Sequence, residues 1–404
     1  MDETIAHREA HGMDPTSLTK RGVLVGAAAS AAVALSARAQ TPAAPAKKLT
    51  TFRPGEIWLD TAGKPIQAHG GSILTVDGRY YWYGENKEFT TGKTKVWTWG
   101  VRAYVSDDLY NWEDLGLIIP PDTENRQSPL HPSMMLDRPH ILYNSQTRKF
   151  VCWVKIMGKT HQTRTVLTAD AFTGPYTIAR QDLRPLGMSA GDFDLVASPA
   201  DGKAYMYFER VHSEMICADL TDDYTDVTGY YSTHFPRPGP PLVREGPAYF
   251  RRRGRHYLAT SGTTSYFPNP SEIAVADSFH GPFRELGDLH PGDKSRTSFN
   301  SQICSVFKHP RKKDLYIALA DRWRGPQSGA AFESGETSRL VQSAIGKATA
   351  DPRQPTTEAE SKAMTLLATN IDTSQSRYVW LPIAFQGERP VIEWRAEWSL
   401  DEFA

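Results

Sequence analysis

The sequence predicts an all-β protein, a five-bladed β-propeller, on three observations. Segments in which apolar and polar residues alternate recur along the chain, each introduced by a polar turn. Most are followed by a second strand-like stretch that closes on a similar phrase, of which "TGPY" and "HGPF" are the clearest pair. The 30 Gly, 28 Pro, 16 Phe, 10 Trp and 17 Tyr suit short strands and tight turns better than a helical bundle.

Taken in order, the alternating segments are "RYYWYGE" (79–85), "KFVCWVK" (149–155), "KAYMYFER" (203–210), "RHYLATSG" (255–262) and "DLYIALADRW" (314–323), preceded by "VDG", "SQTR", "PADG", "RRRG" and "PRKK". A period of two is the signature of a strand with unlike faces. Five such units, each about 50 to 70 residues long and offering several antiparallel strands, point to small sheets repeated around an axis. A β-sandwich accounts for the alternation but not for the recurring closing phrase. Residues 325–376 break the rhythm: rich in Ser, Thr, Ala, Gln and Glu, they read as an insertion into the last blade with one or two short helices, one of them over 357–367. The insertion is expected either to overhang the site or to be mobile.

The N-terminus reads differently. Lys20-Arg21 precedes an apolar, Ala-rich run, and Ala37-Arg38-Ala39 has the small-x-small pattern of a cleavage site, so residues 1–39 are expected to be an export signal, of twin-arginine or Sec type. The run is too short to span a bilayer permanently. Residues 40–50 then form a Pro-Ala linker and 51–404 the propeller, in the periplasm or secreted. Basic and acidic residues balance at 46 each, which removes any global electrostatic case for nucleic acid or a membrane surface. The cluster at Arg251, Arg252, Arg253 and Arg255 falls at an expected hairpin turn and reads as solvated. Cys152, Cys217 and Cys304 have apolar neighbours and suggest small buried core residues, although one pair could bridge after export.

One carboxylate stands out locally. Glu245 sits beside Gly246-Pro247 in "LVREGPAYF", where a stiff, narrow backbone can aim its side chain. An aimed acid suggests chemistry; a turn residue is the plainer reading.

From about Trp58 to the end, apart from the insertion, the chain resembles the exo-β-1,3-galactanase branch of family 43 glycoside hydrolases. The matching stretches are "WLDTAGKPIQAHGGSILTVDGRYYWYGENK" (58–87), "DRPHILYN" (137–144), "EGPAYF" (245–250), "FPNP" (267–270), "SFNSQICSVF" (298–307), "DRW" (321–323) and "RYVWLPIAF" (377–385). The resemblance implies a propeller hydrolase that inverts the anomeric centre, one protonated carboxyl feeding the departing oxygen while a second group on the opposite face holds water. It places Glu245 as the general acid, whose pKa must be raised by burial or a neighbouring carboxylate, with Arg244 pointing away. Asp192 is the carboxylate that tunes it, with Asp194 as a local competitor. The branch lacks the usual base Asp and has Gln on the water side, here Gln302; an amide is a poor base, so it is expected to orient water, a relay through its tautomer being the alternative.

Two positions depart from the pattern. Asp137 replaces the Glu that the family has before Arg-Pro, withdrawing a catalytic-site carboxyl by one methylene, and Tyr266 stands where Trp is frequent. For sugar binding the resemblance implies Glu85, Thr263, Tyr266 and Trp323, the aromatics stacking on the C–H face of a pyranose. His69, beside Gly70 and Gly71, is a candidate to bond sugar, water or an axial ion, its alternative being a satisfied core histidine. The expected function is release of galactose-type units from chain ends of a β-1,3-galactan-like polysaccharide by a monomer needing no cofactor, with calcium on the propeller axis left open. Arabinofuranosidase or xylosidase activity on the same fold, or a sugar-binding propeller without turnover, are the alternatives.

Overall fold

The computed structural model describes residues 48–325, 329–367 and 372–404. The expected export signal over residues 1–39, and residues 40–47 of the expected linker, lie outside the described residues.

Five small antiparallel sheets make five blades. Blade 1 is β1 (His69–Val76), β2 (Arg79–Glu85), β3 (Val101–Ser106) and β4 (Glu113–Ile119); blade 2 is β5 (Leu136–Asn144), β6 (Lys149–Met157), β7 (Gln162–Ala169) and β8 (Thr177–Leu183). Blade 3 is β9 (Ala190–Ala197), β10 (Ala204–Arg210), β11 (Glu214–Leu220) and β12 (Val227–His234); blade 4 is β13 (Arg244–Arg252), β14 (Arg255–Gly262), β15 (Glu272–Ala276) and β16 (Arg284–Asp288). Blade 5 is β17 (Gln302–Lys308), β18 (Tyr316–Arg322), the short β19 (Arg377–Tyr378), β20 (Leu381–Gln386) and β21 (Arg389–Ile392), with β19 and β20 both paired to β18. The first strands β1, β5, β9, β13 and β17 neighbour one another around a closed ring, β17 returning to β1. This is a five-bladed β-propeller.

The alternating segments read from the sequence are all second strands, β2, β6, β10, β14 and β18. A second strand is flanked by strands on both edges and by other blades on both faces, so its apolar residues are nearly all covered, as in Tyr80, Trp82, Val151, Trp153, Met206 and Phe208. Side-chain clusters fill the wedges between consecutive blades. The largest joins blades 4, 5 and 1 and packs Trp58, Trp82, Trp112 and Trp380 against one another, with Trp398 reached through Phe52. The ring is closed by the chain ends: Phe52 N donates to Trp398 O at 2.8 Å, Trp398 N to Phe52 O at 3.1 Å, and the two rings stack at 4.4 Å. Burying each such ring is worth about 1.5–3 kcal/mol, so closure rests on apolar packing more than on the two backbone bonds.

Three expectations are refined. Among its described residues the insertion carries three helices, where one or two were expected: α1 (Ala330–Glu333), α2 (Glu336–Ala350) and α3 (Glu358–Thr365). The last begins on a capping box, Thr357 Oγ1 accepting from Glu360 N while the Glu360 carboxylate accepts from Thr357 N. The 15-residue α2 becomes stable by burying Val341 against Phe267, Phe332 and Ala363, with Leu340 and Ile345 packed beside them. The basic cluster does lie at the β13–β14 hairpin, but Arg252 is not solvated: it is buried, its Nε 2.8 Å from Asp314 Oδ1 and its guanidinium 3.7 Å from the Phe385 ring centre. All three cysteines are buried and free. No described helix is long and apolar enough to cross a membrane.

Candidate active site

The site is made by one structural device repeated around the ring. Where β1, β5, β13 and β17 begin, cross-strand pairs set His69 against Glu85, Asp137 against Lys155, Glu245 against Ser261 and Gln302 against Asp321. The register slips just after each pair, between His69 and Ser72, Asp137 and His140, Glu245 and Ala248, and Ile303 and Ser305. A bulge twists the strand and re-aims the side chain beside it, so polar residues at one level of four blades turn toward a common space.

That space is a cavity of about 400 Å³ lined by Glu85, Asp137, Asp192, Glu245, Thr263, Tyr266, Gln302 and Trp323. Eight of the nine residues singled out in the sequence therefore converge. The ninth, His69, does not. It is fully buried, its Nδ1 2.8 Å from Asp321 Oδ1 and its Nε2 3.3 Å from the Tyr378 hydroxyl, with its ring stacked on Tyr378 at 4.7 Å. Both ring nitrogens are engaged, so His69 is a satisfied core histidine that supports the wall behind Trp323.

Glycines clear room for the acids. Gly246 has φ +56°, and an added Cβ would lie 3.1 Å from both Gln302 Nε2 and Ser261 Oγ. The amide of Gln302 thus rests against the backbone next to Glu245. At Gly70, with φ +62°, a Cβ would meet a Glu85 carboxylate oxygen at 2.4 Å.

Electrostatics divide the carboxyls. Asp192 Oδ1 lies 2.7 Å from Lys155 Nζ and its Oδ2 2.8 Å from Arg138 Nη2. Burial alone would raise its pKa, but the two cations hold it well below the usual carboxylate range. Among the described residues no cation is paired with Glu245 in this way. Burial first, and then the negative charges of Asp192 and Glu209, push its pKa well above the ordinary value, with Lys155 and Arg138 opposing. Arg244 does point away, its guanidinium donating to Thr260 Oγ1 at 3.0 Å and Thr260 O at 2.8 Å. Asp194, the competitor of Asp192, accepts from the backbone of Tyr249 at 2.7 Å and of Leu195 at 2.8 Å, and burial lifts it to about 7. It ties β9 to β13 and lies outside the cavity lining.

Glu85 accepts Arg138 N at 2.8 Å, has Lys87 Nζ 2.7 Å from its other oxygen, and is pushed by burial to about 7 even though Lys87 opposes the rise. Asp137 accepts Trp97 Nε1 at 2.6 Å between Lys155 and Lys87, at 3.5 and 3.6 Å. Five carboxyl groups line the cavity, including Glu209, against the three permanent cations bonded to them, Lys87, Arg138 and Lys155. Glu85 and Glu245 are the two lining carboxyls that burial pushes up, in keeping with that imbalance.

Gln302 is oriented unambiguously. Its Oε1 accepts from Arg138 Nη2 at 2.5 Å and Trp323 Nε1 at 3.1 Å, and its Nε2 donates to Ser261 Oγ at 2.9 Å. Two obligate donors on one atom require that atom to be the oxygen. Both lone pairs are then occupied, one by a cation, while one amide hydrogen is unclaimed among the described residues. Such an amide holds a water by donating to it or by steric placement; it does not take a proton from it.

Arg138, Lys155, Trp97, Glu209 and His212 also line the cavity and were not read from the sequence. A signal existed for two of them. Glu85 was singled out as the acid closing an apolar strand, and Lys155 and Glu209 stand near the ends of β6 and β10 in the same way. Arg138 carries no local signal beyond its place in Asp-Arg-Pro. The insertion does overhang the site: Ile345 of α2 and Leu367, just after α3, line the rim.

The family model of glycosyl hydrolases family 43 matches residues 64–326. No curated protein sequence matches the chain. Among solved structures, the family 43 β-1,3-galactosidase BT0265 is 27% identical with a TM-score of 0.67, over 88% of this chain and 64% of its own. This chain thus spans under two thirds of that protein. The β-1,3-galactosidase BT3683, solved with galactodeoxynojirimycin, is 26% identical with a TM-score of 0.66, over 86% of this chain and 100% of its own. An exo-β-1,3-galactanase from Phanerochaete chrysosporium, solved as a variant with β-1,3-galactotriose, shares the fold at 23% identity and a TM-score of 0.68, over 87% of this chain and 68% of its own. With the family match covering more than half of its length and the site assembled at the mouth of the ring, the chain belongs to glycoside hydrolase family 43.

Proposed function

We propose that the protein is an exported hydrolase that releases galactose from the non-reducing ends of β-1,3-linked galactans, with inversion at the anomeric carbon. The observation that carries this reading is the pairing in one cavity of a buried carboxyl whose pKa is raised, Glu245, with an oriented amide, Gln302, from the neighbouring blade. The activity for which the two β-1,3-galactosidases are named supports the choice of sugar and linkage. Export rests on the charged, apolar and small-x-small pattern of residues 1–39.

In this mechanism the galactose ring lies between the aromatic wall of Trp97, Tyr266 and Trp323 and the carboxylates of Glu85 and Asp137. Glu245 protonates the glycosidic oxygen as the bond to the anomeric carbon breaks. A water placed by Gln302 attacks from the other face, and its proton passes to solvent water once attack has made it acidic. The oxocarbenium-like transition state is positive, so Asp192, held ionised by Arg138 and Lys155, stabilises it. Proton transfer and attack by water need no redox or electrophilic group.

Following β-1,3-galactobiose hydrolysis by proton NMR is expected to show α-galactose as the first product, before mutarotation. First appearance of β-galactose would rule out inversion, and no turnover of any β-galactoside would remove the hydrolase reading.

The electrostatics add a pH prediction. Glu245 must be protonated in the free enzyme, so its raised pKa extends activity to higher pH, and Asp192 is a cause of that rise. In Asp192→Asn the negative charge is gone and Arg138 and Lys155 are no longer neutralised, which lowers the Glu245 pKa further. The alkaline limb of the kcat/KM profile is therefore expected to move to lower pH. A limb that stays in place or moves up contradicts the assignment of Asp192.

A further inference from the structure

The residues assigned to the released sugar leave one part of the cavity without a role. That part is built by the hairpin ends of blades 2 and 3, with Met157 opposite Gln162 and with Glu209 near His212, by Pro240 on the approach to β13, and by Ile345 of α2. Glu209 is its chemical feature. The residue is 2% exposed, yet its carboxylate lines the cavity.

One oxygen is pinned: Oε1 accepts the backbone N–H of His212 at 2.8 Å and lies 3.1 Å from His212 Nδ1. No hydrogen bond reaches Oε2 among the described residues. Oε2 lies over Gly191, where an added Cβ would come within 2.0 Å of it, so only glycine leaves this oxygen its place. A buried carboxylate held on one side and open on the other is stable only if something in the cavity donates to it. Glu209 is also one of the two carboxylates whose charge acts on Glu245, so it stands near the proton donor. The leaving group also lies near the donor, which protonates its oxygen. Met157, Pro240 and Ile345 add an apolar surface suited to the C–H face of a second pyranose.

We propose that Glu209 accepts a hydroxyl of the leaving-group sugar, in a subsite walled by Met157, Pro240 and Ile345, so that the helical insertion takes part in choosing the leaving group. This rests on the hydrolase reading above. A hydrogen bond to a charged acceptor is worth about 1.5–3 kcal/mol, roughly ten- to a hundredfold in kcat/KM.

The test compares β-1,3-galactobiose, whose leaving group offers hydroxyls, with 4-nitrophenyl β-galactoside, whose leaving group offers none. Glu209→Gln is expected to lose at least tenfold more kcat/KM on galactobiose than on the aryl galactoside. Glu209→Asp, which withdraws the oxygen, is expected to show the same preference. Equal losses on the two substrates, or no loss on either, overturn the inference and leave the hydrolase reading intact. A wild-type protein inactive on both sinks the hydrolase reading and this inference with it, and that is seen before any variant is made.

Discussion

Glu245→Gln is expected to lower kcat on β-1,3-galactobiose by about 10²–10⁴-fold, the range that general acid catalysis supplies. The substitution keeps shape and volume and removes only the proton that the departing oxygen needs. A sugar alkoxide is a poor leaving group and suffers the full loss, whereas a nitrophenolate departs with little help. The deficit should therefore be much smaller on 4-nitrophenyl β-galactoside, with galactose binding retained. Steady-state kinetics on both substrates, with calorimetry for binding, make the comparison. A variant as active as wild type on galactobiose would show that Glu245 is not the acid. A wild type that binds galactan without cleaving it, and a variant that binds equally well, would point to the sugar-binding alternative.

Replacing Arg138 is expected to damage both activity and folding. Its guanidinium joins Asp192, which tunes the acid, to Gln302, and its backbone N–H holds Glu85. The residue is 4% exposed and has φ +53° at the bulge of β5. In Arg138→Met the buried Asp192 keeps only Lys155, and breaking a buried ion pair from one side costs about 3–5 kcal/mol. Gln302 loses one of the two donors that fix its oxygen and becomes free to turn. Chemical denaturation should show a loss of that size, and kcat on galactobiose should fall by about a hundredfold or more, as expected when a positioned group is released. Arg138→Lys, which keeps the charge but not the planar fork, should recover most of the stability and little of the activity. Full activity in Arg138→Met would mean that the orientation of Gln302 is unimportant to the reaction.

Of the site residues, Glu245 was legible by its own context, since it precedes Gly-Pro, while Glu85 and Trp323 were marked by the family resemblance. Asp137 was noticed through its departure from a family pattern, and the structure gives the shorter side chain a firm place between Trp97 and two lysines. His69 shows the limit of local context. Its glycine neighbours suggested close approach to a ligand, but they allow a bulge that sends Gly70 N and the histidine ring to Asp321, more than two hundred residues away in sequence. Lys155 and Glu209 were missed because a charge at a strand end is ordinarily solvated, and nothing local says that a neighbouring blade will cover it.

Strand identity, blade number and the second strand of every blade were determined by the sequence itself, because alternation and turn chemistry act between residues a few positions apart. The capping box that starts α3 is local in the same sense. Only the tertiary structure decided which charges meet. The partners Arg138 with Gln302, Glu245 with Asp192, and His69 with Asp321 come from different blades, and their pairing depends on ring closure and on bulges that turn one level of side chains inward. The raised pKa of Glu245 follows from that assembly, since burial and the charge of Asp192 act through space, and neither acts in the unfolded chain.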